Sequence, residues 1–171
     1  MKRLFLLFFS LILLTGCQKN SYSKFCNRYK VFFMCNTMEA PFNQLSTPGR
    51  FLSVRLLPNG TMTVTDIDGH STRIELSQKE NNMFIMGLGG LIIGRPTLNN
   101  DDMEVWAYDL ACPVCDSGRN LLSVDQMGKA GCAACGGIWD LNRSGFPDNG
   151  DMRPLYRYPA TSGFTSVTVQ N

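Results

Sequence analysis

Four cysteines constrain this chain more than any other feature of its sequence. They lie in two C-x-x-C segments, residues 112–115 and 132–135, with 16 residues between them. Two short cysteine loops at this separation supply the four thiolates that a tetrahedral metal site or an iron–sulfur cluster requires. The sequence therefore predicts one metal centre, and its ligands are Cys112, Cys115, Cys132 and Cys135.

The N-terminus has the pattern of a bacterial lipoprotein signal. Lys2 and Arg3 supply the positive charge, and residues 4–14 form an almost wholly apolar run. This run is shorter than the about 20 residues that a membrane-spanning helix needs. It is followed by Thr15-Gly16-Cys17, which resembles a lipobox and predicts that Cys17 is acylated.

This interpretation divides the chain into three parts. Residues 1–16 are the signal peptide, residues 17–24 are an acylated N-terminus with a polar linker, and residues 25–171 form one domain. We expect a lipid-anchored protein of the bacterial cell envelope, and Gln18 after the cysteine favours the outer membrane. The membrane is then the one partner that the sequence identifies. No basic stripe indicates nucleic acid, and a protein or redox partner is not identified.

The identity of the metal stays open at the level of sequence, because thiolates bind zinc and iron alike. One interpretation is a mononuclear four-thiolate site, with zinc favoured over iron because paired C-x-x-C loops are typical of zinc ribbons. A second is a [2Fe–2S] cluster on the same four ligands. A third is two structural disulfides without metal, since an exported chain meets oxidising conditions.

Two further cysteines, Cys26 and Cys35, are nine residues apart. In an exported protein this pair predicts a disulfide, and two buried free thiols are the alternative. The chain has a single histidine, His70, which follows an Asp-Gly turn and is expected to lie at the surface.

Short strands and turns dominate the pattern after residue 24, and helical periodicity is almost absent. The clearest signal is a hairpin in which Asn59-Gly60 joins two strands, residues 51–57 and 61–67. A glycine-containing apolar run at residues 83–93 predicts one close-packed strand with a bend. The pattern predicts an all-β fold, with one helical turn near residues 41–45. The remaining strands are expected at residues 71–76, 104–110, 121–124, 138–141, 155–158 and 165–169.

The second cysteine loop and the residues after it resemble the second half of a Rieske domain. The matching features are Cys132-Ala133-Ala134-Cys135-Gly136, then Trp139-Asp140-Leu141, a Gly/Pro loop at residues 145–147 and a closing strand at 154–158. Residues 107–112 are similar to the strand that enters the first Rieske loop. The resemblance implies stacked antiparallel sheets with a small metal-binding loop subdomain at one tip.

Cysteines occupy the places of both Rieske histidines, since Cys115 and Cys135 stand where the histidine ligands would be. A histidine-ligated Rieske centre is therefore excluded, and one histidine cannot serve the separate iron site of a Rieske-type oxygenase. Two functions remain. One is a non-enzymatic lipoprotein whose metal has a structural or binding role, and the other is an electron-transfer protein with a four-cysteine [2Fe–2S] cluster. The sequence contains no recognisable nucleophile–base pair or phosphate-binding loop that would indicate an enzyme.

Overall fold

A computed structural model gives the fold, and it describes residues 23–97 and 104–171. Within these residues, three antiparallel sheets account for nearly all of the regular structure, which confirms the predicted all-β class. The predicted signal peptide, Cys17 and the linker up to residue 22 lie outside the described residues. None of the described helices is long and apolar enough to cross a membrane.

Each sheet has its own strand order. The central sheet has six strands in the order β12-β7-β6-β2-β3-β4, the N-terminal sheet has four in the order β13-β14-β1-β5, and the metal-loop sheet has four in the order β11-β10-β9-β8. The strands are β1 Val31–Asn36, β2 Phe51–Leu57, β3 Thr61–Asp66, β4 Ser71–Glu75, β5 Ile85–Met86, β6 Leu91–Gly94, β7 Trp106–Asp109, β8 Leu122–Val124, β9 Lys129–Cys132, β10 Ile138–Asp140, β11 Phe146–Pro147, β12 Arg157–Tyr158, β13 Ala160–Ser162 and β14 Ser166–Gln170. One α-helix, α1, spans Gln78–Met83, and two 3-10 helices span Phe42–Ser46 and Leu141–Arg143.

The middle strands of the central sheet are buried on both faces, because their side chains alternate between two hydrophobic cores, whereas the edge strand β4 is largely exposed. On β6, Leu91 and Ile93 belong to the core shared with the N-terminal sheet, whereas Ile92 belongs to the core shared with the metal-loop sheet. On β7, Ala107 enters the first core and Tyr108 the second. The second core is therefore the support on which the cysteine loops rest.

The predicted hairpin is confirmed, with Leu57 of β2 opposite Thr61 of β3 across the Asn-Gly turn. Gly60 has a φ of 73°, a left-handed conformation that glycine adopts without steric penalty. The third strand then adds to β3 in the register Thr63↔Arg73. The expected helical turn near residue 41 is the 3-10 helix Phe42–Ser46.

The prediction of one bent strand over residues 83–93 is wrong. Met83 ends helix α1, and the residues after it form the short strand β5, a turn and then β6. Gly87, Gly89 and Gly90 lie in the turn between the two strands. A Cβ at Gly89 would lie 2.8 Å from the Ala111 backbone nitrogen. The glycines allow this turn, which we call the glycine turn, to pack against the strand that enters the first cysteine loop.

Helix α1 was not predicted, although its start has a recognisable sequence signal. Ser77 caps the helix by accepting from the Glu80 backbone N–H, and the Glu80 side chain accepts from Ser77 in return. This is a capping box, whose Ser-x-x-Glu pattern is readable in the sequence. The helix has only six residues and none of them is buried, so it lacks the apolar periodicity on which the sequence interpretation depended.

The folded part of the chain begins earlier than expected. The sequence predicts that Ser23 belongs to the polar linker, but it is buried, with a relative exposure of 6%. Its hydroxyl donates to the Ser144 carbonyl at 2.6 Å, and its backbone N–H donates to the Ser144 hydroxyl at 3.3 Å. Two residues later, Phe25 forms a bridge to Arg157 of β12. Residues 23–29 are thus attached to the domain, and we call them the N-terminal strap.

Candidate metal centre

The first cysteine loop connects β7 to β8 and is closed by backbone hydrogen bonds. The Cys112 N–H donates to the Asn120 carbonyl at 2.9 Å, and the Asp116 N–H donates back to the Cys112 carbonyl at 2.9 Å. Asp116 has a φ of 50°, which is uncommon for a residue other than glycine. The loop also turns the Cys115 N–H toward the Cys112 sulfur, at 3.5 Å.

The second loop connects β9 to β10 and repeats this geometry. The Gly136 N–H donates to the Cys132 carbonyl at 2.9 Å, which matches the bond that Asp116 makes in the first loop. Gly136 has a φ of 71°, so the residue after each C-x-x-C adopts a left-handed conformation. Next to it, a Cβ on Gly137 would overlap the Trp139 ring. Both glycines of the second loop thus have a structural reason.

The two loops face each other and bring all four sulfurs together. The Sγ atoms of Cys112, Cys115, Cys132 and Cys135 lie within 4.8 Å of one another. The closest pairs across the loops are Cys112–Cys135 at 3.6 Å and Cys115–Cys132 at 3.8 Å. Four metal–sulfur bonds of about 2.3 Å in a tetrahedron give sulfur separations of about 3.8 Å. The predicted juxtaposition of the four cysteines is confirmed, and the donor set fits a tetrahedral thiophilic metal.

The same distances argue against two disulfides. A disulfide needs a sulfur–sulfur distance of about 2.05 Å, and all four thiols are free in this structure. The four cysteines therefore form an open set of ligands that a metal ion can bind.

Burial divides the four thiols into an inner and an outer pair. Cys112 and Cys132, the first residue of each loop, are 0% and 4% exposed and belong to the second core with Trp139. Cys115 is half-buried and Cys135 is exposed. A metal here would be bound on one side by the core and would lie just below the surface on the other.

Local surroundings give the inner thiols different acidities. Burial raises the pKa of Cys112 to about 12. Burial acts in the same direction on Cys132, but hydrogen bonds from the backbone N–H groups of Cys135 and Ala134 outweigh it and lower the pKa of Cys132 to about 7. Of the two inner thiols, Cys132 is thus the one that loses its proton more readily near neutral pH. Since metal ligation requires thiolates, we expect it to be the first ligand to engage an ion.

A charged side chain missed by the sequence analysis supports the first loop. Asp116 accepts hydrogen bonds at 2.7 Å from the hydroxyls of Tyr29 and Tyr156, and it forms an ion pair with Arg28 at 2.7 Å. The Tyr156 and Tyr29 hydroxyls lower the pKa of Asp116, so the carboxylate is ionised at neutral pH. Two of its three partners belong to the N-terminal strap, which therefore contacts the metal loop directly.

Asp109 provides a second support beneath the first loop. It is fully buried at the end of β7, three residues before Cys112. Its carboxylate accepts from the backbone N–H groups of Leu88, Gly89 and Ala111 at 2.6, 3.0 and 2.8 Å, and from the Tyr158 hydroxyl at 2.6 Å. Burial raises the pKa of Asp109 in spite of these four donors. This residue fixes the glycine turn against the strand that leads to Cys112.

Cys26 and Cys35 are both free thiols in the structure. Cys26 lies beside Asn171, whose side chain donates to the Cys26 carbonyl at 2.8 Å. Cys35 lies near the C-terminal end of β1, opposite Val167 of β14. The disulfide between the two cysteines stays a prediction, and this geometry gives it no support.

Ligand-type side chains also meet at the turn between β3 and β4. Asp66, Asp68 and His70 are grouped there, and His70 is exposed as the sequence predicts. Asp66 accepts from the backbone N–H groups of Asp68 and His70 at 3.0 and 2.9 Å, and Asp68 is paired with Arg50. These contacts are those of a closed polar turn, so we assign the group a structural role.

Comparison with known proteins supports the N-terminal interpretation alone. Residues 1–18 match the family model for the prokaryotic membrane lipoprotein lipid attachment site. No curated protein and no solved structure matches the chain. The chain thus carries a lipoprotein attachment site, which indicates a lipid-anchored protein of the cell envelope.

Proposed function

We propose that this protein is an envelope lipoprotein in which one zinc ion, bound by four cysteines, holds a folded domain together for a non-enzymatic binding role. The observation that carries the proposal is the clustering of four sulfurs within 4.8 Å of one another on two facing loops. Such a site can be assembled from this chain alone, without a ligand from a partner or from solvent.

The compact sulfur cluster favours one metal ion over a [2Fe–2S] cluster. In such a cluster each iron takes two cysteines at opposite ends of the Fe₂S₂ core, so thiolates on different irons lie well beyond one tetrahedral edge. Here all four sulfurs lie within 4.8 Å of one another, so no pair shows the longer separation that two irons would impose. The iron–sulfur carrier is therefore the less favoured alternative.

The completeness of the ligand set favours a structural role. Catalytic zinc sites keep a coordination position open for water or substrate, whereas structural sites fill all four with protein ligands. Two of the four thiols, those of Cys112 and Cys132, also belong to the second hydrophobic core. The ion would therefore complete the packing of the metal-loop sheet, whose four strands are only two to four residues long.

We further propose that the domain is Rieske-like and that the lipid places it at the outer membrane. Support for the first point is the arrangement of three antiparallel sheets, with the cysteine loops preceding β8 and β10. Support for the second is Gln18 after the acylated cysteine. In this proposal, acylated Cys17 attaches the protein to the membrane.

Cysteine substitution in a cobalt-loaded protein tests the site. Co²⁺ in a four-thiolate tetrahedron absorbs in the visible and near ultraviolet, so it reports directly on the ligand set. We expect this absorption with the unsubstituted chain, and Cys135→Ser should weaken Co²⁺ and Zn²⁺ binding and lower the free energy of unfolding, because ligation and folding are coupled. The matched control is Cys26→Ser, which removes a thiol outside the cluster and should leave metal binding unchanged.

Two results would contradict the proposal. One is equal metal binding by Cys135→Ser and the unsubstituted chain. The other is an equal loss of binding in Cys26→Ser, which would place the metal at a different set of thiols.

A further inference from the structure

The distance between the lipid anchor and the folded domain is short enough to restrict how the domain faces the membrane. Six peptide links separate Cys17 from Ser23, so a fully extended chain holds the two residues at most about 21 Å apart. A folded domain of this length has a radius of gyration near 15 Å and is roughly 40 Å across. The surface around Ser23 therefore cannot face away from the bilayer.

The residues at this surface have the composition of a membrane-contacting patch. Ser23 is hydrogen-bonded to Ser144. Their sequence neighbours Lys24, Phe25 and Arg143 therefore lie near this contact, and all three are exposed. Phe25 is 50% exposed. The Arg157 guanidinium lies over one face of its ring, 5.0 Å from the ring centre. Aromatic rings favour the membrane–water interface, and basic side chains favour an anionic surface.

We propose that Lys24, Phe25 and Arg143 dock the folded domain onto the bilayer beside its own lipid anchor. The occupant of this patch is the phospholipid surface, because the short tether holds that surface within reach of it. This inference rests on the anchoring at Cys17 proposed above. It goes further in stating that the domain lies against the membrane, with a defined side toward the lipid.

The opposite ends of the molecule provide controls. Arg73 lies on β4, at the far edge of the central sheet from β12 and hence from Phe25; five strand spacings of about 4.8 Å separate those edges. Phe164 is 94% exposed at the tip of the hairpin between β13 and β14. That tip is near Thr37, beyond the end of β1 that is opposite to the N-terminal strap.

A tryptophan placed at position 25 can report the contact in the mature, acylated full-length protein. The two native tryptophans are buried, so the added indole provides the quenchable signal. In vesicles that contain anionic lipid and lipid brominated near the headgroup, we expect Phe25→Trp emission to fall about twofold or more, since interfacial side chains lie about 5–10 Å into the boundary. Phe164→Trp in the same vesicles should keep its emission.

Charge removal tests the electrostatic part. Lys24→Gln with Arg143→Gln, in the Phe25→Trp background, should reduce the ratio of docked to undocked protein about 30-fold, from about 1 kcal/mol per basic residue at an anionic surface. The matched pair Arg73→Gln with Lys79→Gln removes the same charge from elsewhere and should leave the ratio unchanged.

The outcomes separate anchoring from docking. A protein that floats with the vesicles but shows equal quenching at positions 25 and 164 retains its anchor and refutes the docking patch. A protein that does not float refutes the anchor and the docking proposal together. The two double substitutions, at Lys24 and Arg143 and at Arg73 and Lys79, could also reduce quenching at position 25 by the same amount. That result would refute the assignment of Lys24 and Arg143 to the docking patch.

Discussion

Asp109→Asn is the substitution that most sharply tests how the fold supports the metal loops. It replaces one carboxylate oxygen with an NH₂ group and changes side-chain volume very little. The Oδ2 atom of Asp109 accepts from the Leu88 N–H at 2.6 Å and from the Tyr158 hydroxyl at 2.6 Å. With Asn, the hydroxyl can rotate to accept, but the Leu88 N–H, which points at the buried side chain, would face another donor.

The expected loss follows from the hydrogen bonds affected. A hydrogen bond to a charged group contributes about 1.5–3 kcal/mol, and leaving a buried donor unsatisfied costs about 1–3 kcal/mol. Part of this loss is offset, because burial of the Asp109 charge is itself unfavourable, as its raised pKa indicates. We therefore expect Asp109→Asn to lower the free energy of unfolding by about 2–3 kcal/mol at pH 7. Tyr158→Phe, which removes one donor, should lower it by about 1–2 kcal/mol.

The pH dependence has a definite sign. A carboxyl whose pKa is raised by folding binds its proton more tightly in the folded state, so its contribution to stability increases as the pH falls through the folded-state pKa. Asparagine does not titrate, and the stability gap between wild type and Asp109→Asn should therefore widen as the pH is lowered towards the unfolded value near 3.8.

Urea unfolding and zinc release to a chelator are the assays, with Asp151→Asn as an exposed aspartate control. The chelator should remove zinc faster from Asp109→Asn than from either the control or the wild type, because the strand leading to Cys112 loses its support. Wild-type stability and zinc release in Asp109→Asn, or a gap that narrows in acid, would refute this account of the support.

Three further substitutions test other parts of the account. Asp116→Asn should lower the free energy of unfolding at neutral pH. Because the Tyr156 and Tyr29 hydroxyls lower the pKa of Asp116, the difference in urea unfolding between wild type and variant should disappear in acid. A difference that does not depend on pH would contradict this. Gly137→Ala should cost about 1–3 kcal/mol in thermal or urea unfolding, since the new methyl group overlaps the Trp139 ring. Gly131→Ala serves as the comparison, because its added Cβ would meet only the Ser123 Oγ, at an ordinary contact distance of 3.8 Å. Cys17→Ser should release the chain into the soluble envelope fraction or leave it unprocessed; a mature, membrane-bound variant would disprove acylation at Cys17.

Local signals carried most of what the sequence revealed about the fold. The Asn59-Gly60 turn and the two C-x-x-C pairs are short patterns whose backbone requirements are nearly independent of the rest of the chain. The hairpin and the clustering of four thiols were predictable for that reason. The same local logic failed at residues 83–93, where apolar residues and glycines fit a bent strand as well as the observed turn between two strands.

The supports of the metal centre depend on contacts between distant residues and could not be read locally. The Tyr29 hydroxyl donates to Asp116 from 87 residues away in the chain. Ser23 reaches Ser144 across 121 residues. One local signal was available: Asp116 occupies the position after the first C-x-x-C that Gly136 occupies after the second. Aspartate tolerates the left-handed conformation better than most residues do, so the comparison of the two loops pointed to a tight turn there.

The central claim, one structural zinc on four cysteines, is tested most directly by the metal content and visible spectrum of the full-length protein. The protein should be purified anaerobically from cells supplied with both zinc and iron, so that the site can take either metal. The account predicts a colourless protein with about one zinc per chain, since Zn²⁺ is d¹⁰ and has no visible transitions. A coloured protein with two irons and two acid-labile sulfides per chain would contradict it and assign the protein to electron transfer.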